Sequence, residues 1–376
     1  MISCGEPSGD LYAGALVTAL RTLAPSIAVA GFGGARLEAA GATLLGDYRG
    51  FSVTGLVEAL SVLPRSWRML KQLGATARET RPDVFVAVDF PDFNFRLLPV
   101  MKRLGIPVAY YVSPQLWAWR PGRLETIRKY VDRMLVIFPF ESAIYEQAGI
   151  PVEFVGHPLI ELAVAAHDRP GFLRTLQLDP ARPVVALLPG SRPNEVAQIL
   201  PGLVGGARLV VQQVPNAQFV VARAPVLDDA LFEPLQALRA AGVRVEQVSG
   251  ATDDVLAAAD VVVTASGTAT VQSAIHGRPM VIVYRLAPLT YRIGRSMVKV
   301  GTYGMVNLVA GRRIVPELIQ DAFTPESVAR ETVSLLTDAA RADTMRQDLA
   351  DVRTRLGGRG ASQRAAAAIL QLTHDT

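Results

Sequence analysis

Residues 260–277, DVVVTASGTATVQSAIHG, decide the fold by the order of their residue types. The β-branched run 261–264 predicts a buried strand, Ser266, Gly267 and Thr268 predict a tight turn of small residues, and the remainder of the stretch predicts a helix. Such a turn leaves unpaired N–H groups and the positive end of the helix dipole facing outward, with side chains small enough to let an anion approach. Residues 184–196, VVALLPGSRPNEV, repeat the pattern, and Ser191 and Arg192 lie in their turn; the planar guanidinium of Arg192 suits a diphosphate. Two anion-ready turns in one half of the chain predict a nucleotide-diphosphate ligand, although either one alone would serve equally as a helix cap. No G-x-x-x-x-G-K-[ST] string occurs, which argues against a P-loop. GFGGAR at 31–36 does not spell the dinucleotide fingerprint G-x-G-x-x-G either.

Outward from these turns, strands and helices alternate along nearly the whole chain, the pattern of parallel sheets covered on both faces. Strands are predicted at 1–4, 27–30, 84–88, 108–112, 134–138 and 152–155, then in a fresh series from 184, near 219–222, 243–248, 261–264 and 280–284. The expected fold is therefore α/β, with two doubly wound domains at 1–165 and 166–340. The breaker-rich stretch 158–183 joins them, and 341–376 form closing helices able to pack back on the first domain. Ligands in such folds sit beyond the carboxyl ends of the strands. That places the chemistry of the first domain in three loops: GEPSGD at 5–10, DFPDFN at 89–94 and SPQLWAWR at 113–120. Facing the phosphate turns of the second domain, these loops would make a transferase cleft with donor on one wall and acceptor on the other.

Composition narrows the class. The 376 residues are half apolar and carry a formal net charge of +4, with 38 basic residues, of which only Lys71, Lys102, Lys129 and Lys299 are lysine. An arginine bias of that kind carries no case for nucleic acid. One cysteine, Cys4, excludes an intramolecular disulfide, and His157, His167, His276 and His374 are scattered without metal-ligand spacing. No apolar run approaches a membrane span and no signal pattern opens the chain, so a cytoplasmic location is expected. From Arg285 to Pro316 there are six basic residues and no acid, which fits an anionic ligand or surface as well as a solvated helix face.

The strings GEPSGD, VDFPDFN, YYVSPQLWAWRPGR, FVGHPL, LLPGSR, ASGTAT and VPELIQ, in this order and across nearly the whole chain, resemble the lipid-A-disaccharide synthase family. The tryptophan-rich string and VDFPDFN are specific, whereas LLPGSR and SGTAT are shared by other nucleotide-sugar enzymes. The resemblance implies two facing Rossmann-like domains (GT-B), an acceptor-binding N-terminal one and a UDP-sugar-binding C-terminal one. It also implies transfer of 2,3-diacylglucosamine from UDP-2,3-diacylglucosamine to the 6-hydroxyl of 2,3-diacylglucosamine 1-phosphate, giving a β(1→6) disaccharide and UDP without metal or cofactor. Three positions depart from the family pattern. Gln272 replaces a glutamate that holds the ribose hydroxyls, Val306 before Asn307 replaces a proline, and the first strand, at 1–4, is short support for GEPSGD.

Inversion at the sugar carbon needs a base on one face while the diphosphate leaves from the other. Asp89, at the end of an apolar strand, is the candidate, with Asp92 better placed as a helix cap. Glu6 and Ser8 are expected to line the reacting sugar, Ser8 being as good a cap. Asn94 would orient substrate, Trp117 and Trp119 would stack on sugar or acyl chain or pack in the core, and His157 would lie at the cleft or hinge. Ser191, Arg192, Ser266, Gly267, Thr268, Gln272 and Asn307 form the expected UDP site. Acylated substrates require contact with an anionic inner-membrane surface. Leu56, Val57, Leu60, Val62 and Leu63, leading through Pro64 into Arg65, Trp67, Arg68, Met69, Leu70 and Lys71, have the mixture of an interfacial helix, though a core helix with a basic flank reads the same way. A homodimer is left open. The rival functions are another UDP-N-acetylglucosamine enzyme, an epimerase or the peptidoglycan glycosyltransferase, and a non-catalytic nucleotide- or lipid-binding module.

Overall fold

The computed structural model describes residues 1–49, 56–116, 122–286 and 302–374, and in 56–62 and at 374 the backbone alone. The chain forms two compact units, one of Met1–Pro158 with Leu356–Thr376, the other of Leu159–Arg355. Each is built on one parallel sheet covered by helices.

In the first unit the strands are β1 (Ile2–Cys4), β2 (Ala30–Gly33), β3 (Thr43–Asp47), β4 (Phe85–Val88), β5 (Val108–Tyr111), β6 (Arg133–Val136) and β7 (Val152–Phe154). Their order in the sheet is β3-β2-β1-β4-β5-β6-β7. The order reverses between β1 and β4, which pair with Ser3 opposite Ala87 and Cys4 opposite Val88, so the loops after these two strands open at the switch point. Helices cover both faces, and β4 and β5 are buried at every position. This is why they read as continuous apolar runs rather than alternating ones. Helix α1 (Pro7–Leu23) packs on the last helix, Ala361–His374, which returns to this unit from the far end of the chain. Arg133 Nη1 donates to Gln371 Oε1 at 2.9 Å and Arg364 Nε to Val155 O at 2.8 Å, fastening that helix to β6 and to the end of the edge strand β7.

The second unit has β8 (Val184–Leu188), β9 (Gln218–Arg223), β10 (Val245–Ser249), β11 (Val261–Ala265), β12 (Met280–Tyr284) and β13 (Glu317–Ile319), ordered β10-β9-β8-β11-β12-β13. Here the reversal lies between β8 and β11, the strands that feed the two predicted phosphate turns. Both are buried throughout, and each fully buried valine contributes about 1.5–3 kcal/mol over an exposed one. Asp260 fixes the opposite ends of the pair: its carboxylate accepts from Val184 N at 2.8 Å and from both Arg169 nitrogens at 3.0 and 2.9 Å.

The structure moves several sequence expectations. The division falls at Pro158/Leu159 and returns at Leu356, not at 165/166 and 340/341. The helix Ala339–Arg355 stays with the second unit, and only the final helix joins the first. The breaker-rich join holds two short helices, Leu159–Leu162 and Arg169–Thr175, that belong to the second unit; Asp168 caps the latter by accepting from Gly171 N at 2.8 Å. Strand β2 lies at 30–33 rather than 27–30, because three of its four residues form the sequence Gly-Phe-Gly and carry little hydrophobic signal. Close approach explains the glycine: a Cβ on Gly31 would stand 2.0 Å from Ile2 O. Strands β3 and β13 have no counterpart among the expected strands, both being short edge strands without an apolar run.

Candidate active site

In the first unit the loops after β1, β4 and β5 lie side by side. Glu6 is the extended N-cap residue of α1, Pro7 opens the helix, and Ser8 is half-buried in its first turn. Asp10 is buried, and its carboxylate accepts from Gly34 N, Arg36 N and Leu37 N at 2.8, 3.0 and 3.1 Å. The second acid of GEPSGD therefore holds the turn after β2. The ring of Phe90 covers Gly5, where a Cβ would come within 2.2 Å of it, and stacks on Phe93. Glycine at position 5 thus lets the loops after β1 and β4 touch.

Asp89 sits half-buried at the carboxyl end of β4, with φ of 45°, and Phe90 follows with φ of 51°. Two successive left-handed residues turn the chain abruptly from strand into helix α4 (Pro91–Arg103). Asp89 N donates to Tyr111 O at 3.0 Å, and Asp89 O accepts from Asn94 Nδ2 at 2.7 Å and Tyr110 Oη at 2.8 Å. Burial first, and then the nearby Asp89 charge, push the phenols of Tyr12 and Tyr110 above their ordinary range. Asp89 itself follows β4, one of the two strands of the switch point.

Asn94 is corrected by this geometry. It is fully buried, Ser3 Oγ donates to its Oδ1 at 2.7 Å, and its amide nitrogen is bound to Asp89 O, so it does not present itself to a substrate. Asp92, expected as a cap, pairs instead with Arg123, whose guanidinium lies 5.1 Å from the Phe95 ring centroid. His157 is likewise interior rather than lining a cleft. Its ring meets the edges of Tyr12 and Phe138 at 5.9 and 5.2 Å, and burial drives its pKa down to about 3, so it is neutral near pH 7. After β5, Val112 has φ of 67° and Ser113 Oγ bonds Tyr145 Oη at 2.6 Å. Trp117 and Trp119 lie outside the described residues.

In the second unit Gly190 takes φ of 120°, a conformation that side chains disfavour, and the turn it makes is held by Glu195. Ser191 N donates to Glu195 Oε2 at 3.2 Å, and Arg192 Nη1 to Oε1 at 3.3 Å, just ahead of the helix Pro193–Gln213. Gly267 (φ 156°) precedes the helix Thr268–Ile275; both Gly267 and Thr268 are exposed, and Ser266 Oγ donates to Tyr303 O at 3.1 Å. Gln272, one turn into that helix, donates from Nε2 to Asp253 Oδ1 at 3.3 Å, and His276 Nε2 shares the same oxygen at 2.9 Å. A carboxylate accepts only, so the amide oxygen of Gln272 is the atom turned away from Asp253.

Asn307 is the second correction. It is buried, its Nδ2 donates to Val315 O and Glu317 Oε1 at 3.0 and 2.8 Å, and its Oδ1 accepts from Ile314 N and Val315 N at 2.8 and 3.0 Å. All four hydrogen-bonding positions of the amide are thus spent inside the protein. Val306, in place of a proline, is buried in the helix Met305–Ala310. Sequence reasoning missed Glu317, which accepts from Tyr303 N and Gly304 N at 3.0 and 2.8 Å and so fixes the segment beside Ser266. Its signal was present: it is the first acid after the 285–316 stretch that has none.

The second unit therefore sets exposed Gly267 and Thr268 and the Glu195-paired guanidinium of Arg192 after its two switch strands, while Ser266 N donates to Val283 O at 3.2 Å; the first unit sets Glu6 and Asp89 after its own. Among the described residues, no group of three or more His, Cys, Asp or Glu side chains is arranged to hold a metal ion.

The chain matches the family model of lipid-A-disaccharide synthetase over residues 1–372. A lipid-A-disaccharide synthase of Myxococcus xanthus is 44% identical over 372 residues, covering 99% of this chain and 97% of the relative. Another from Geobacter metallireducens is 42% identical over 375 residues, covering 99% and 96%. Among solved structures, a putative UDP-N-acetylglucosamine 2-epimerase from Listeria monocytogenes matches with a TM-score of 0.69 at 15% identity, covering 100% of this chain and 96% of that one. At that identity the likeness speaks for the fold alone.

Proposed function

Because the chain belongs to the lipid-A-disaccharide synthetase family, we propose that it is the inverting glycosyltransferase that moves 2,3-diacylglucosamine from UDP to the 6-hydroxyl of 2,3-diacylglucosamine 1-phosphate. The observation that carries this is the full-length match. The placement of the motifs supports it: GEPSGD and VDFPDFN follow the two switch strands of one sheet, LLPGSR and SGTAT those of the other.

In this scheme the first unit takes the acceptor and the second the nucleotide. Asp89 removes the proton of the acceptor hydroxyl as its oxygen bonds to the anomeric carbon of the donor. The bond from that carbon to the β-phosphate oxygen breaks on the opposite face, and UDP leaves with the electron pair. General-base assistance of this kind contributes about 10²- to 10⁴-fold. Arg192 and the N–H groups of Gly267 and Thr268 meet the charge that grows on the diphosphate, the Gln272 amide oxygen accepts from the ribose, and Glu6 and Ser8 flank the reacting sugar. No step calls for a cofactor.

The acylated substrates bring the enzyme to a membrane. No helix among the described residues is long and apolar enough to cross one. Contact is assigned to the helix Leu56–Thr80, where Leu63 and Trp67 are 37% and 54% exposed among exposed Arg65, Arg68 and Lys71.

Purified protein given both substrates in detergent with EDTA should release UDP and disaccharide, and Asp89→Asn should lower kcat at least a hundredfold while still binding UDP. No product from folded, UDP-binding wild type would sink the proposed reaction; equal rates in the two proteins would remove Asp89 as base.

A further inference from the structure

Three residues without the freedom of glycine lie in the left-handed region at the carboxyl ends of two paired strands: Asp89 and Phe90 after β4, and Val112 after β5, with φ of 45°, 51° and 67°. A β-branched residue there is a true outlier, and backbone held so persists only when its surroundings over-determine it. The surroundings are specific. The carbonyl of Asp89 accepts two hydrogen bonds, from Tyr110 Oη at 2.8 Å and Asn94 Nδ2 at 2.7 Å, while its N–H donates to Tyr111 O at 3.0 Å. Both side-chain donors come from residues without exposure to solvent. Asn94 is fixed in turn, accepting from Ser3 Oγ at 2.7 Å and donating to Ser3 O at 3.3 Å. The polar groups of β1, α4 and β5 thus converge beneath one backbone carbonyl, in the interior of a sheet whose neighbouring side chains are apolar.

We propose that Tyr110 and Asn94 are positioning residues for the transfer reaction, clamping the Asp89 carbonyl so that the strained turn holds the Asp89 carboxylate at the switch point. The proposal rests on Asp89 being the base. Neither residue touches substrate; each acts through the Asp89 backbone. A buried tyrosine in a parallel strand would be replaceable by phenylalanine on packing grounds alone, so the hydroxyl needs another reason, and it donates to Asp89 O. Rotation of the peptide after Asp89 changes ψ of Asp89 and relieves the left-handed φ of Phe90, which would let the strand-to-helix turn relax and shift the Asp89 Cα and its side chain with it. With the carbonyl bonded twice, that rotation breaks two buried hydrogen bonds at once. A base must keep its geometry to within a fraction of an ångström, and loss of position is read in kcat rather than in binding.

The test uses the whole protein and three variants, Tyr110→Phe, Asn94→Asp and Asp89→Asn, measured for UDP binding by calorimetry, thermal midpoint and transferase kinetics. Tyr110→Phe should keep its UDP affinity and its KM for the acceptor within about twofold of wild type while kcat falls about tenfold, a part of the factor due to general-base assistance. Asn94→Asp keeps the size of the side chain and its acceptor for Ser3, but sets a carboxylate oxygen against Asp89 O in place of a donor; kcat should fall further, again without a matching rise in KM. Wild type without turnover would sink the transferase itself. An active wild type and an equally active Asp89→Asn would remove the base and the clamp with it. If Asp89→Asn is inactive but folded Tyr110→Phe keeps wild-type kcat, or loses efficiency through KM alone, the clamp is overturned; should Asn94→Asp not fold, Tyr110→Phe decides by itself.

Discussion

Burial of the His157 imidazole couples the stability of the first unit to acid. Its pKa falls from 6.5 to about 3 because the surrounding aromatic rings cannot solvate a charge. The folded state thus binds its proton more weakly than the unfolded chain. The stability tied to the neutral ring is fully present above pH 6.5 and is lost as pH falls from there toward 3, by about 2 kcal/mol at pH 5. Urea unfolding at pH 7.5 and pH 5 should show wild type losing that much more than His157→Gln; equal losses would mean the ring is protonated in the fold. Residues of this kind were only half legible in the sequence. Asn94 and His157 stood in the matching strings and Asn307 shortly before one, but a polar residue in or beside a motif reads the same whether it faces a ligand or another strand. Which of the two holds is decided by partners far along the chain, Ser3 for Asn94 and Leu356 O for the His157 N–H.

At the scale of elements, short pieces depend on single polar anchors. The helix Ala35–Ala39 has five residues, far too few to stand by itself, and its N-terminus is satisfied from another helix by Asp10. Asp10→Ala would leave three backbone N–H groups without that carboxylate and open a buried space. A loss of about 2–4 kcal/mol is expected, read as a lower denaturant midpoint at unchanged slope; a change under about 0.5 kcal/mol would show that water replaces the carboxylate at no cost. The long apolar strands β4, β5, β8 and β11 were legible because burial on both faces requires an unbroken apolar run. The edge strands β3 and β13 and the glycine-rich β2 were not. Their pairing comes from backbone fit, such as the approach of Gly31 to Ile2, and not from side-chain hydrophobicity.

For the whole molecule, the proposed function predicts attachment to a bilayer. Leu63 and Trp67 project from the helix Leu56–Thr80 beside exposed basic residues, and Arg96 lies 5.5 Å from the Trp67 ring centroid. Leu63→Glu/Trp67→Glu should lower sedimentation with anionic phosphatidylglycerol vesicles at least about fivefold with the melting temperature unmoved, since neither side chain is buried. Unchanged vesicle binding would remove this helix as the contact. The architecture of two doubly wound units was readable from the fresh series of strands starting at Val184. The exact course of the chain between them was not, because the breaker residues at 158–183 mark helix ends and caps as readily as they mark a linker, and Asp168 serves as a cap.

By itself the sequence determined the class of fold, the position of the motif strings after strands and the family, because these arise from local order: apolar runs, small-residue turns and strings of fixed spacing. Only the tertiary structure decided which polar residues of those strings are spent inside the protein, where β2 lies, and that the last helix closes the first unit. Hydrogen-bond partners and close backbone approaches are made between residues distant in sequence, and no local pattern records them.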